Sequence, residues 1–254
     1  MNAMRLTGSA PSLRQHTITA PVPAWRHPSH VVLETCVEDV EGVRISARAG
    51  ADRAELGANL TAAGTTPSIG TIEAAIFAAA EQVEQRRVQA GAHWAEKPEA
   101  AAPFGLRILI RPRGGSFVYN ADEGRAMIAD VRRIATLALE MAEFTRPQAT
   151  GGGRTTLPPA VDLGFVVGAL TEDGTIDRGL VRLLVDMANG APVTFHRAFD
   201  QCRDTVEAYG DLEGLGVRYV LTSGAAQTAA DGASVIAGLV ASGGPTVVAA
   251  GAVR

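Results

Sequence analysis

The residues of this chain that could do chemistry gather where its apolar runs end. The clearest case is Leu106-Arg107-Ile108-Leu109-Ile110-Arg111-Pro112-Arg113-Gly114-Gly115, a strand pattern that delivers arginines and glycines to its C-terminal end. A guanidinium is a planar fork of fixed donors suited to carboxylate or phosphate oxygens. Adjacent glycines let a ligand approach the backbone closely. A second run ends Thr194-Phe195-His196-Arg197-Ala198-Phe199-Asp200. Histidine beside arginine and aspartate suits acid–base work near neutral pH; the alternative is a structural histidine that caps the next helix. A third run ends Thr222-Ser223-Gly224, whose hydroxyls and amides suit an anion.

Strand alternation adds a charged face. Glu34 and Cys36 share one side of the first apolar run, and Arg53, Glu55 and Gly57 share one side of the second. Charge on an inward face is costly unless paired or functional. Two readings follow: a buried Glu–Arg network, or a site. In the second, Glu55 and His196 are the acid–base pair. Glu34, Arg53, Arg111, Arg113, Arg197, Asp200, Thr222 and Ser223 would then bind a small carboxylate or phosphate.

The elements that must position these residues alternate regularly from residue 31 onward. Strands are expected at Val31–Cys36, Arg53–Leu56, Arg107–Arg111, Val161–Val167, Pro192–Phe195, Tyr219–Leu221 and Thr246–Ala249, with a helical pattern after each of the first six. This predicts an α/β fold with a parallel sheet and right-handed crossovers, a TIM-type (β/α)8-like barrel incomplete at the C-terminus with about seven strands. Residues 88–105 and 143–160 read as insertions at the bottom face. With no eighth unit, strands one and seven would keep free edges. The sequence then reads either as a truncated product or as a barrel whose gap something else closes, and a homo-oligomer or a poorly soluble chain is expected.

Composition narrows the classes. The 254 residues are 46% hydrophobic with net charge -4, which suits one large domain over 31–254 and implies no basic face for nucleic acid. No apolar run is long enough for a membrane span. Residues 1–30 carry no acid, three arginines and four prolines, and read as a disordered extension. The single lysine, Lys97, lies in a polar Ala/Glu/Pro stretch, which argues against Schiff-base chemistry. Cys36 and Cys202 form neither a CxxC pair nor a zinc framework.

Several segments together resemble the CutC family. They are Leu33-Glu34-Thr35-Cys36-Val37, Gly50-Ala51-Asp52-Arg53-Ala54-Glu55-Leu56, Gly64-Thr65-Thr66-Pro67-Ser68, Ile110–Gly115, Val193–Asp200 and Val220–Gly224. The resemblance implies a TIM-type barrel, a cytoplasmic location and a link to copper homeostasis, with copper as the implied metal and Cys36 and Cys202 as its candidate ligands. The chain departs from the family at Gly57, where the family often carries a cysteine proposed as a copper ligand. Soft Cu(I) sites favour several thiolates or thioethers. The expectation is therefore weak, non-stoichiometric copper binding.

Overall fold

The computed structural model describes residues 31–145 and 159–253. Seven strands form one all-parallel sheet in sequence order: β1 (Glu34–Val37), β2 (Arg53–Leu56), β3 (Phe104–Leu109), β4 (Val161–Val167), β5 (Val193–Phe195), β6 (Tyr219–Thr222) and β7 (Thr246–Ala249). Six longer helices alternate with them: α1 (Val40–Ala49), α2 (Ile69–Ala90), α3 (Ala121–Phe144), α4 (Arg178–Met187), α5 (Thr205–Gly214) and α6 (Ala233–Ser242). The sheet curls into a half-barrel, as the alternation predicts. The extension expected at residues 1–30 and most of the insertion expected at 143–160 lie outside the described residues.

Local chemistry sets the helix ends. Asp39 accepts from the amide of Gly42 at the start of α1, and Gly50 closes that helix at φ 93°, where a side chain would be strained. Asn120 and Glu123 form a reciprocal capping box on α3. The Asp177 side chain caps α4 by accepting from the amide of Leu180, and the Asp204 side chain caps α5 by accepting from the amides of Val206 and Glu207.

Period-two alternation sorts the strands into two faces. Leu56, Leu106, Ile108, Phe165, Val167, Val193, Phe195 and Val220 point outward and are buried under the helices, where they form the core. The inward face lines an open trough of about 2560 Å³. Within the described residues, β1 pairs only with β2 and β7 only with β6, so the sheet keeps two edges.

Two strands start three residues from where the sequence pattern sets them, and other bounds shift less among the strands. The first strand begins at Glu34 rather than Val31, and the third runs Phe104–Leu109 rather than Arg107–Arg111. Glu34 is the register partner of Arg53, which pairs in turn with Gly105 on β3, so Glu34 opens its strand beside Arg53 instead of ending it. The segment expected as an irregular insertion at 88–105 holds the end of α2, a short turn at Trp94–Glu96 and one helical turn at Pro98–Ala101.

Candidate functional site

The trough is built in levels. Its floor is Arg53, buried at the start of β2 and 2.5 Å (Nε–Oε2) from Glu34. The approach is off the N–H axis, so the contact is an ion pair without an aligned hydrogen bond. The guanidinium carbon also lies 4.6 Å from the ring centroid of Tyr219 on β6, so Arg53 crosses the trough and closes its base with a cation–π contact. Gly105 makes room for it: a Cβ there would lie 2.9 Å from Arg53 Cγ. Beside this group, Arg107 donates from both terminal nitrogens to Asp162, at 2.6 Å to its carbonyl and 2.7 Å to its carboxylate.

Above the floor stand Cys36 and Glu55, register partners on β1 and β2. No hydrogen bond to Glu55 is found within the described residues. Burial, reinforced by the Glu34 charge, pushes its carboxyl up to about 8, so it is protonated at neutral pH. Cys36 faces the open trough, yet desolvation and the charges of Glu55 and Glu34 push its thiol up to about 12.

At the top, Arg111 follows the end of β3. Its terminal nitrogens donate to the carbonyls of Ala63 (2.6 Å), Gly64 (3.1 Å) and Gly115 (2.8 Å), which clamps two loops together. It has no carboxylate partner within the described residues, and its Nε is buried without an acceptor. The ring of Phe117 lies between this guanidinium (4.8 Å) and the imidazole of His196 (4.8 Å). His196 follows β5, and its Nδ1 accepts from the amide of Ala198 at 3.1 Å. That bond places the proton of the neutral ring on Nε2, which is buried and unpartnered. Burial, then the Arg111 charge, pushes the ring down to about 3. Gly168, directly after the neighbouring strand β4, permits this placement, since a Cβ there would lie 2.2 Å from His196 Cε1.

Four expected site residues lie elsewhere. Arg113 turns away to Glu123 (2.5 Å) and to the carbonyls of Gly114, Ser116 and Val118, where it supports the α3 cap. Thr222 faces outward by alternation and is fully buried. Ser223 is buried too, and neither residue lines the trough. Both serve Asp200, whose carboxylate accepts from the Thr222 hydroxyl, the Ser223 hydroxyl (3.0 Å) and the amides of Ser223 and Ala225 (3.1 Å). Arg197 adds Nε–H at 2.8 Å. Burial alone would raise the Asp200 pKa, but these donors outweigh it and hold the carboxyl below its ordinary value. The anion nest expected at Thr222-Ser223-Gly224 is thus filled by the chain's own carboxylate. Cys202 packs beside the cluster around Phe199 and Tyr209, with Sγ 3.8 Å from the Ala198 carbonyl.

Sequence reasoning passed over Tyr219, Phe117 and Gly168. Gly168 carried a faint signal, a glycine directly after an apolar strand. Tyr219 and Phe117 carried none, because their partners are distant in sequence.

The trough therefore presents donors: a protonated carboxyl, an imidazole N–H and guanidinium N–H groups. This set suits an acceptor-rich, anionic ligand. It does not suit Cu(I). The Cys36 thiol is held protonated, and Cys202 is outside the trough. A Cβ at Gly57 would meet Leu60 and Leu109 at 3.2 Å. Met127 and Met141 are buried in the helix–sheet core, with Met187 packed against it. Among the described residues no three His, Cys, Asp or Glu side chains are grouped to hold a metal.

Comparison with known proteins agrees with the fold. The model of the CutC family matches residues 31–145 and 159–254. A CutC family protein of Mesorhizobium japonicum is 34% identical over 220 residues, 87% of this chain and 67% of that protein. The human copper homeostasis protein cutC homolog is 34% identical over 209 residues, 82% of this chain and 60% of that protein. The crystal structure of CutC from Streptococcus agalactiae superposes with a TM-score of 0.59 at 28% identity, covering 84% of this chain and 82% of that one. The chain spans between 60% and 71% of the length of the curated relatives it matches. On its motifs, its parallel half-barrel and these matches, the chain belongs to the CutC family.

Proposed function

We propose that the trough binds a small carboxylate- or phosphate-bearing metabolite, with Glu55 as the group that exchanges a proton with it. The observation that supports this most is the convergence of unpartnered donors on the inward face: His196 Nε2–H, Arg111 Nε–H and the Glu55 carboxyl. A buried donor without an acceptor costs about 1–3 kcal/mol, and an anionic ligand would remove that cost. Glu55 gives its proton to a ligand oxygen and is left ionised near Glu34, a repulsion that favours taking the proton back. His196 stays neutral and orients the ligand, in place of the proton transfer expected from its position in the sequence. Copper homeostasis is a property named for the family's members. The side chains of this chain favour the anion over direct copper coordination.

The test is thermal unfolding of the full chain with inorganic phosphate, oxalate, malonate or neutral glycerol. A specific ligand at a hundred times its Kd stabilises by about 2.7 kcal/mol. At least one anion should raise the midpoint, and glycerol should not. The gain should fade as pH rises through about 8 in the native chain but not in Glu55→Gln. No anion-dependent shift, or one with the same pH dependence in both proteins, would overturn the reading.

A further inference from the structure

Register between strands gives the distance between the donors of the trough wall. Glu55 on β2 is level with Arg107 on β3, which pairs with Gly164 on β4. Arg111 and Gly168 lie four residues further along the same two strands, and the amide of Ile110 still donates to the carbonyl of Val166 at 2.8 Å. His196 joins that upper row, its amide 2.8 Å from the carbonyl of Val167. A strand rises about 3.3 Å per residue, so the upper row's backbone stands about 13 Å beyond that of Glu55. β2, β3, β4 and β5 are inner strands, and neither edge of the sheet enters this geometry.

Charge separates the two rows. In the lower part each cation already has an acid: Arg53 has Glu34, and Arg107 has Asp162. The donor left there is the Glu55 carboxyl, protonated at neutral pH and close enough to Glu34 to feel its charge. In the upper row Arg111 binds carbonyls only, and His196 Nε2–H has no acceptor among the described residues. An anion gains at the upper row, where a positive charge lacks a counter-charge. The lower row favours an uncharged acceptor, because a second anion would meet Glu34.

The level between them is apolar. Leu109 lines the trough there with Leu60, and its register partner Val166 is fully buried. Two glycines seat the Leu109 side chain. A Cβ at Gly57 would lie 3.2 Å from Leu109 Cδ2, and one at Gly64 would lie 2.6 Å from it. A ligand that joins the two rows must cross this band, and hydrocarbon crosses it without losing hydrogen bonds.

We propose that the ligand is an elongated monoanion. Its carboxylate or phosphate head is held by Arg111 and His196, a hydrocarbon stretch lies along Leu109, and an uncharged carbonyl or hydroxyl oxygen at the far end accepts from Glu55. This rests on the anion reading above and narrows its substrate class: the oxygen that meets the Glu55 proton is the one remote from the charge. Phosphate, oxalate and malonate are too short to fill both rows at once.

Isothermal titration calorimetry of the full chain at neutral pH tests the proposal with a matched series. Monomethyl adipate has the head, the length and the far carbonyl. Monomethyl malonate lacks the length, hexanoate lacks the far oxygen, and adipate carries a second charge. Monomethyl adipate should bind about tenfold or more tightly than each of the other three. In Glu55→Leu its affinity should fall to that of hexanoate, while hexanoate binds as before. Glu55→Gln keeps an N–H donor and should keep the preference. An adipate ester with no advantage over any one of the three, or an advantage that survives in Glu55→Leu, would overturn the proposal. Binding of phosphate or oxalate in that case would leave the anion reading standing, whereas no binding by any anion would overturn both.

Discussion

At the scale of single residues, the state of the trough depends on small clearances. His196 keeps its orientation because Gly168 has no side chain; the 2.2 Å separation that a Cβ would impose is far below any contact. Gly168→Ala should therefore turn the imidazole and break its bond to the Ala198 amide. Overpacking of this kind costs about 1–3 kcal/mol. Chemical denaturation measures the loss, and the ring-nitrogen NMR signals of His196 report the tautomer. Unchanged nitrogen shifts in a folded Gly168→Ala protein would contradict this account of the site.

At the scale of elements, Asp200 ties the turn after β5 to the end of β6. Hydrogen bonds to a charged group are worth about 1.5–3 kcal/mol each, and this carboxylate collects donors from Arg197, Thr222, Ser223 and Ala225. Asp200→Ala should leave several buried donors orphaned and cost about 3 kcal/mol or more. It should also open the nest, so that added phosphate recovers part of the stability while the native chain gains nothing at that position. Urea titrations of the variant with and without phosphate check both statements. A variant as stable as the parent would mean that the nest does not need its carboxylate.

At the scale of the whole molecule, two buried groups shape stability against pH. The folded pKa of Glu55 is raised from 4.5 to about 8, so its contribution is present below 4.5 and lost as pH rises through about 8. The folded pKa of His196 is lowered from 6.5 to about 3, so the folded state loses stability as pH falls from 6.5 towards 3. Between 4.5 and 6.5 the two slopes oppose each other. Stability should be nearly flat there and decline on the alkaline side through about 8. Denaturant midpoints across the pH range should show that decline in the native chain and its disappearance in Glu55→Gln. An alkaline decline of equal size in both would assign it to other groups.

Much of this protein is legible without coordinates. Strand and helix periods placed α1, β2, β4 and β7 at their observed bounds, and the order of elements implied a parallel sheet with seven strands. Those features follow from interactions between near neighbours in the chain, so a local pattern encodes them. The polar faces of β1 and β2 were also readable, because alternation alone puts Glu34 with Cys36 and Arg53 with Glu55. The level at which each side chain enters the trough was not readable. That depends on register between strands, which placed Glu34 and Arg53 at the floor and Arg111 and His196 at the top. Nor could the sequence separate Arg111 from Arg113, two residues apart and identical in type. Only the packing of α3, which brings Glu123 to Arg113, and of the loop at Ala63 and Gly64, which receives Arg111, tells them apart. Asp200 shows the same rule: a motif of hydroxyls and amides announces an anion, and the tertiary structure decides whose anion it is.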